Sequence, residues 1–381
     1  MHRLQFHYTL SRTSSPALIR NPLIDLLRAV STHGSISAGA RALGLSYRHV
    51  WGELKRWENE LGNELLVWEK GQSARLSEFG NKLMWAERQA QARLAPQIES
   101  LRGDLERAFA VAFDPHAHVA TLYASHDDAL SALREHALHP DAASIDGTQL
   151  HLDIRFCGSV DAIRALNEGR CVMAGFHTLQ HPAPGSLAER TYKPLLQPGL
   201  HKIIGFAERT QGLMVAAGNP LELHTLADVQ RTGARFVNRA LGTGTRVVLD
   251  ELLALAGMVA ADIEGYAHSE PSHTAAAHAV AAGSADVALG IAIAAQAQGL
   301  DFVPLVQENY HLVCLKSALE EPAIAALRAV LQDGAWQRKL VTIAGYTASR
   351  SGEVLSLREV LPWWSFTKRK ASSRVNPRPA A

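Results

Sequence analysis

"SISAGARALGLSYRHVWGELKRWENELG", residues 35–62, carries two short helical patterns that pivot on one glycine. From Ile36 to Leu43 the pattern is small and alanine-rich. Gly44 follows where the chain must turn through the left-handed region, which a residue without Cβ enters at little cost. Ser46 is placed to cap the next helix, because its hydroxyl can accept a backbone N–H of the first turn. Beyond it, Val50, Leu54, Trp57 and Leu61 recur at spacings of four, three and four, which is one apolar stripe. The opposite face offers Ser46, Tyr47, Arg48, His49, Glu53 and Arg56. A buried stripe behind an exposed polar N-terminal half is what a helix needs to enter a major groove. The pattern equally suits an ordinary pair of amphipathic helices, so the flanking sequence decides.

Both flanks favour DNA. Upstream, "NPLIDLLRAVSTHGS" reads as a first helix stopped by Gly34. Downstream, "LLVWEKGQSARLSEFGNKLM" sends apolar residues 65–68 into a Gly-Gln-Ser turn from which "ARLSEFG" returns. That is a two-stranded wing carrying Lys70 and Arg75 toward a phosphate backbone. Residues 1–80 therefore read as a winged helix-turn-helix domain. Residues 81–116 read as a linker and dimerisation helix, broken or kinked near Pro96. Leu94, Ile98, Leu101, Leu105, Ala108 and Ala112 alternate four and three apart along it, a short coiled-coil seam. The alternative is packing against the chain's own core. Reading a palindrome needs a twofold partner, so the expectation is a homodimer or higher homo-oligomer through this helix.

Bulk composition narrows the class. A chain of 381 residues has room for two or three domains, and a net charge of +1 supplies no global basic field. Contact with double-stranded DNA must then come from a local patch. Lys368, Arg369, Lys370, Arg374 and Arg378 make a basic tail over 365–381, read as a solvated, disordered end. Cys157, Cys171 and Cys314 are scattered and odd in number, which fits a reducing compartment and no metal site. "MHRLQFHYTL" is too polar for a secretory signal, and no apolar run reaches membrane-spanning length. The expected location is the cytoplasm, without a membrane partner.

From about residue 117 the texture changes. "VATLYAS", "LHLDIRF", "VMAGFHTL", "HKIIGF", "GLMVAAG", "ARFVNR", "ADVALGI" and "DFVPLV" read as strands alternating with helical segments. Such alternation predicts a mostly parallel sheet covered by helices, a two-lobed α/β domain over 117–364. Ligands of such sheets sit beyond the carboxyl ends of the strands. Three strand-to-helix junctions stand out: Ser125 in "YASHDDAL", Ser159 in "FCGSVDAI", and Thr243-Gly244-Thr245-Arg246 in "VNRALGTGTRVVLDELL". Each is expected to cap a helix and to aim free N–H groups and a hydroxyl at one space, as an anion requires. His126 and Arg239 flank these junctions and join the candidate set, with Glu270, His273 and Thr274 of "EPSHTAAAHAV" lining the cleft. Arg246 either binds the anion or pairs with an acid such as Glu270. The histidines of "HSEPSH" have no zinc spacing. Adjacent Ser125, His126 and Asp127 cannot easily form a charge relay, and no Gly-x-Ser-x-Gly elbow occurs, so neither an enzyme nor a cofactor is expected.

The helical head, especially Ser46-Tyr47-Arg48 followed by Trp51, resembles the winged domain of molybdate-responsive ModE-type regulators. "ENELGNELL" is similar to the LysR type. Residues 117–361 resemble the type-2 periplasmic-binding-protein fold in its molybdate/tungstate-binding-like branch. That resemblance implies one lobe over about 117–202 and 304–361, a second over about 203–303, and an oxyanion held at Ser125, Ser159 and 243–245. Molybdate-binding relatives use neutral donors, whereas this run carries Arg246, which leaves room for a carboxylate such as formate. The ModE sensor barrel is absent. The whole implies a one-component regulator sensing molybdate or tungstate, with Arg48, His49 and Arg56 in the groove and Lys70 and Arg75 on phosphates. The rivals are the same architecture with a small organic acid, or an enzyme on the two-lobed fold.

Overall fold

The computed structural model describes residues 21–68, 74–113, 117–139, 142 and 150–364. Lys70, the Gly-Gln-Ser turn and the basic tail lie outside the described residues.

Three helices open the chain: α1 (Pro22–His33), α2 (Ile36–Ala42) and α3 (Tyr47–Leu61). Asn21, Ser35 and Ser46 cap them by accepting N–H groups of their first turns. Gly44 makes the pivot with φ +67°, where a Cβ would be strained. Val50 and Leu54 of the expected stripe are fully buried against Leu27, Leu65 and Leu66, while Trp57 and Leu61 lie at its half-buried edge. β1 (Leu66–Val67) and β2 (Arg75–Leu76) pair antiparallel as a short wing. Glu58 fixes that wing to α3: its buried carboxylate accepts the N–H groups of Leu65 (2.9 Å) and Leu66 (3.2 Å) and the Lys55 ammonium (2.5 Å).

α4 (Glu78–Phe113) runs on without the break expected at Pro96. Proline has no N–H for the carbonyl four residues back, which frees the Ala92 oxygen. The hydroxyl of Ser272, far along the chain, donates to that oxygen instead (3.2 Å). Along the same face Ala92, Pro96 and Gly103 are buried, while Leu94 and Leu101 face solvent. The helix therefore has two sides, one docked on its own chain and one open.

The remaining elements are β3 (His118–Ala124), α5 (Asp128–Ala137), β4 (Leu150–Phe156), α6 (Ser159–Asn167), β5 (Met173–Leu179), α7 (Leu187–Tyr192) and β6 (His201–Val215). Then follow α8 (Leu226–Thr232), β7 (Phe236–Arg239), α9 (Gly244–Leu255), β8 (Ser269–Glu270), α10 (His273–Ala281), β9 (Val287–Ile291) and α11 (Ala292–Ala297). The chain ends with β10 (Asp301–Leu315), α12 (Pro322–Gln332), α13 (Gly334–Val341), β11 (Tyr346–Thr347), β12 (Val354–Ser356) and α14 (Leu357–Val360). The sheet order is β4-β3-β5-β10-β6-β9-β7-β8. Its two outer thirds are parallel, as expected from alternating strands and helices. β6 and β10 are antiparallel to each other and to their outer neighbours, so they join the two halves.

Here the sequence reading needs correction. "HKIIGF" and "GLMVAAG" are parts of one 15-residue strand, and "DFVPLV" is only the start of another. The polar residues at their centres hid the continuity. β5 pairs with Glu308–Cys314 of β10, and β9 with Gln211–Val215 of β6, so both long strands change company near their middles. That crossing is where the two lobes meet. No helix among the described residues is long and apolar enough to cross a membrane.

Candidate functional site

The three junctions come together at this crossing, although two are capped differently than expected. α5 is capped by Asp127, whose carboxylate accepts the N–H groups of Ala129 (2.9 Å) and Leu130 (3.3 Å). Ser125 stands two residues earlier. α6 has Gly158 at its cap, and Ser159 is its first residue. The two serines are freed for each other, with hydroxyls 3.4 Å apart and buried. Thr243 does cap α9. The lobes touch here: the Val160 N–H donates to the Gly242 carbonyl (3.3 Å), and a Cβ on Gly158 would stand 2.9 Å from that oxygen. A Cβ on Gly244 would overlap the His177 ring at 2.3 Å, so glycine is required there.

Below the junctions lies a charged cluster that the sequence reading missed. Arg209, from the middle of β6, donates to Asp127 at the start of α5 and to Glu308 in β10. Tyr346 donates to the same Asp127 carboxylate (2.5 Å). Gln211 donates to Glu308 and to Thr245, both at 3.0 Å, and Thr245 lies 3.3 Å from His273 Nε2. An unbroken polar chain therefore runs from Asp127 in one lobe to His273 in the other. A buried ion pair holds only when its remaining hydrogen-bonding capacity is met, and Arg209 meets its own through two carboxylates. Burial disfavours its charge, but Glu308, Tyr346 and Asp127 together outweigh this and hold the guanidinium well above its usual range.

Arg239, at the end of β7, contrasts with it. It is 1% exposed and donates to the Pro271 carbonyl (3.0 Å), while its Nε and Nη1 have no partner among the described residues. Among the described residues it makes no ion pair with a carboxylate. Burial, with the Arg209 charge behind it, pushes its pKa down to about 9. The Gln211 Oε1, Glu308 Oε2, His273 Nδ1, Tyr310 hydroxyl and both His177 ring nitrogens are likewise buried and unpartnered among the described residues. Burial holds His177 and His273 well below the ordinary histidine range, so both are neutral at neutral pH. Unpaired buried polar groups are costly, and their concentration in one place suits a polar guest.

Other candidates are engaged elsewhere. Arg246 pairs with Asp250 (3.2 Å) and lies over the Tyr266 ring at 4.1 Å, so the suggested pairing with Glu270 does not occur. Four residues of helix separate Arg246 from Asp250, and that short reach wins. Glu270 instead accepts two bonds from Arg93 of α4 (2.5 and 2.9 Å). Glu99 of the same helix meets Ser131 (2.9 Å), His126 (3.4 Å) and Arg134 (3.6 Å). Arg107 pairs with Asp153 (3.1 Å), and Ser100 accepts the Phe156 N–H (3.0 Å). α4 thus grips both lobes. Thr274 is half-buried. Among the described residues no three histidine, cysteine or acidic side chains are grouped to hold a metal ion.

On the head, Ser46, Tyr47, Arg48, His49 and Arg56 all face solvent, as does Trp51. Arg56 pairs with Glu53 (2.6 Å), and Arg75 stands exposed on the wing.

Comparison with known proteins agrees with this division. Residues 23–81 match the bacterial regulatory helix-turn-helix proteins of the lysR family, and residues 142–332 match the PBP superfamily domain. An uncharacterized protein of Bacillus subtilis (strain 168), YvgK, is 32% identical over 201 residues, 53% of this chain and 64% of that protein. The chain thus spans less than two thirds of that relative's length. An uncharacterized protein in the ferredoxin 2Fe-2S gene 5′ region of Clostridium pasteurianum is 32% identical over 111 residues, 29% of this chain and 98% of that protein. Among solved structures, OxyR of Corynebacterium glutamicum aligns with TM-score 0.43 and 14% identity, covering 87% of this chain and 96% of its own. CbnR, a LysR family transcriptional regulator, aligns with TM-score 0.38 and 17% identity, covering 81% and 98%. The chain belongs to the PBP superfamily and carries a LysR-family helix-turn-helix ahead of that domain.

Proposed function

We propose that this chain is a one-component, cytoplasmic transcription regulator whose two-lobed domain binds a small anion and whose head reads a DNA operator. One observation carries the anion: Arg239 is a buried guanidinium with N–H groups unpartnered among the described residues, beside an arginine already satisfied by two carboxylates. A bound anion would compensate that charge and remove the cost of its burial. The resemblance makes molybdate and tungstate the first candidates. A small organic carboxylate such as formate is the second, favoured by the same guanidinium.

Coupling would run through α4. It belongs to the head's core through Met84 and holds Glu270 of one lobe and Ser131 of the other. A guest that favours one arrangement of the lobes would bias the helix that carries the heads. The exposed row of Leu94 and Leu101, with half-buried Ile98 and Leu105, supplies the seam for a homodimer or higher homo-oligomer. Arg48, His49 and Arg56 would meet base edges, and Lys70 and Arg75 phosphates.

Calorimetric titration of the full chain with molybdate, tungstate, sulfate and formate tests the sensor. Heat is expected with at least one, and its absence with all four discards these oxyanions and formate as guests. On operator DNA, Arg48→Ala should weaken binding by about tenfold to a hundredfold, the effect of losing one base contact. Unchanged binding would remove α3 from the groove.

A further inference from the structure

The site's unused groups are of both kinds, and this restricts the guest further than its charge does. We propose that the guest is a small carboxylate carrying its own hydrogen-bond donor on the neighbouring carbon, a 2-amino or 2-hydroxy acid, rather than an oxyanion with acceptors only. This rests on the anion reading above.

The decisive residue is Gln211. Its Nε2 donates to the Glu308 carboxylate and to the Thr245 hydroxyl, each at 3.0 Å. Turning the amide over would set its oxygen against the Glu308 oxygen, so the orientation is fixed. Its Oε1 is therefore an acceptor that cannot become a donor, and it is fully buried without a partner among the described residues. Glu308 Oε2 is a second buried oxygen without a partner among the described residues; it accepts in the ionised form, which Arg209 and Gln211 favour at the other oxygen although burial raises the carboxyl's pKa. Opposite in kind are Nε and Nη1 of Arg239, donors without a partner among the described residues. A guest that only accepts would satisfy Arg239 and leave Gln211 and Glu308 unsatisfied, a cost of about 1–3 kcal/mol per buried group in general.

Charge points the same way. Arg209 and Arg239 face Asp127, Glu308 and the neighbouring Asp128, so the cluster carries no excess positive charge, and burial keeps His177 and His273 neutral. A zwitterion leaves that balance intact and a monoanion adds one negative charge, whereas a dianion such as molybdate adds two. Space points to a small guest, because the Gly158 and Gly242 segments already touch and Gly244 lies against His177. A carboxylate on Arg239 with an ammonium or hydroxyl toward Gln211 and Glu308 fits both sets.

Binding of glycine, glycolate, acetate, formate, sulfate and molybdate to the full chain at neutral pH separates the possibilities. Glycine or glycolate should bind at least tenfold tighter than acetate, which lacks only the donor, with sulfate and molybdate weakest. Gln211→Leu should bring glycine and glycolate to the level of acetate. Should that variant not fold, the ranking on the parent chain decides alone. Molybdate or sulfate binding tighter than both donor-bearing acids, or acetate binding as well as they do, overturns the inference while leaving the anion reading intact. No binding by any of the six removes both.

Discussion

Helix α3 and the strand pair β6–β10 carry the same kinds of side chain, and the fold treats them in opposite ways. On α3, Arg48, His49 and Arg56 stand in solvent. On the long strands, Arg209, Gln211, Glu308 and His311 are all buried. A solvated charge loses nothing by waiting for a partner, so an exposed basic face can serve DNA without disturbing the head. A buried charge must be answered within the fold, and a concentration of groups left unanswered suits a polar guest. The head displays its chemistry; the sensor encloses it.

The largest test of that contrast is Arg209→Met. It would leave Asp127 and Glu308 buried without their cation, and removing one partner of such a cluster costs about 3–5 kcal/mol. Urea denaturation should show a loss of that size. Arg48→Ala, on the exposed face, should stay within about 0.5 kcal/mol of the parent. Similar losses for the two would erase the distinction between the regions.

Glu58 is the exception on α3, and it sharpens the comparison. Burial alone would raise its pKa, but the Lys55 ammonium and the N–H groups of Leu65 and Leu66 outweigh burial and hold it below the usual carboxylate range. A folded-state pKa below the unfolded one means the stabilisation is present above the unfolded value. It is lost as the pH falls through the folded value. The head should therefore weaken in acid below about pH 4.5, the unfolded carboxylate value. Glu58→Gln should cost about 2 kcal/mol at neutral pH, the typical worth of a charged buried hydrogen bond. It should also flatten the acid limb, read from helical circular dichroism between about pH 6 and 3. A limb as steep as the parent's would show that another carboxylate sets it.

What the sequence disclosed follows the same line. Caps and periodicity are local, so Ser46, Gly44 and the Val50–Leu54 stripe were legible within one window. So were the junctions that hold Ser125, Ser159 and Thr245, because strand-to-helix junctions have local signatures, although the caps at the first two are Asp127 and Gly158. The ionic cluster was not, since Arg209 lies 82 residues from Asp127 and 99 from Glu308. Its residues also disguised their strands: "AERTQ" in β6 and "QEN" in β10 read as interruptions of apolar runs, though they are the chemistry of the crossing. The docking of α4 was hidden for a related reason. Pro96 announced a break, and only the tertiary partner Ser272 shows what its missing N–H makes available.

Within the two-lobed domain the smallest expected effect belongs to Arg246, the charge the sequence placed most prominently beside the anion. Its guanidinium is committed to Asp250 one helical turn away and to the face of Tyr266. Arg246→Ala should cost no more than about 1 kcal/mol of stability, the range of a lone ion pair with a ring contact. The affinity for any anion bound at the crossing should change by less than about twofold, as for a substitution outside the site. The two readouts separate a structural arginine from a ligand-holding one, because only the second lowers affinity more than stability. A tenfold loss of affinity with stability unchanged would place Arg246 on the guest, and Arg239 would then no longer stand as the charge that selects it.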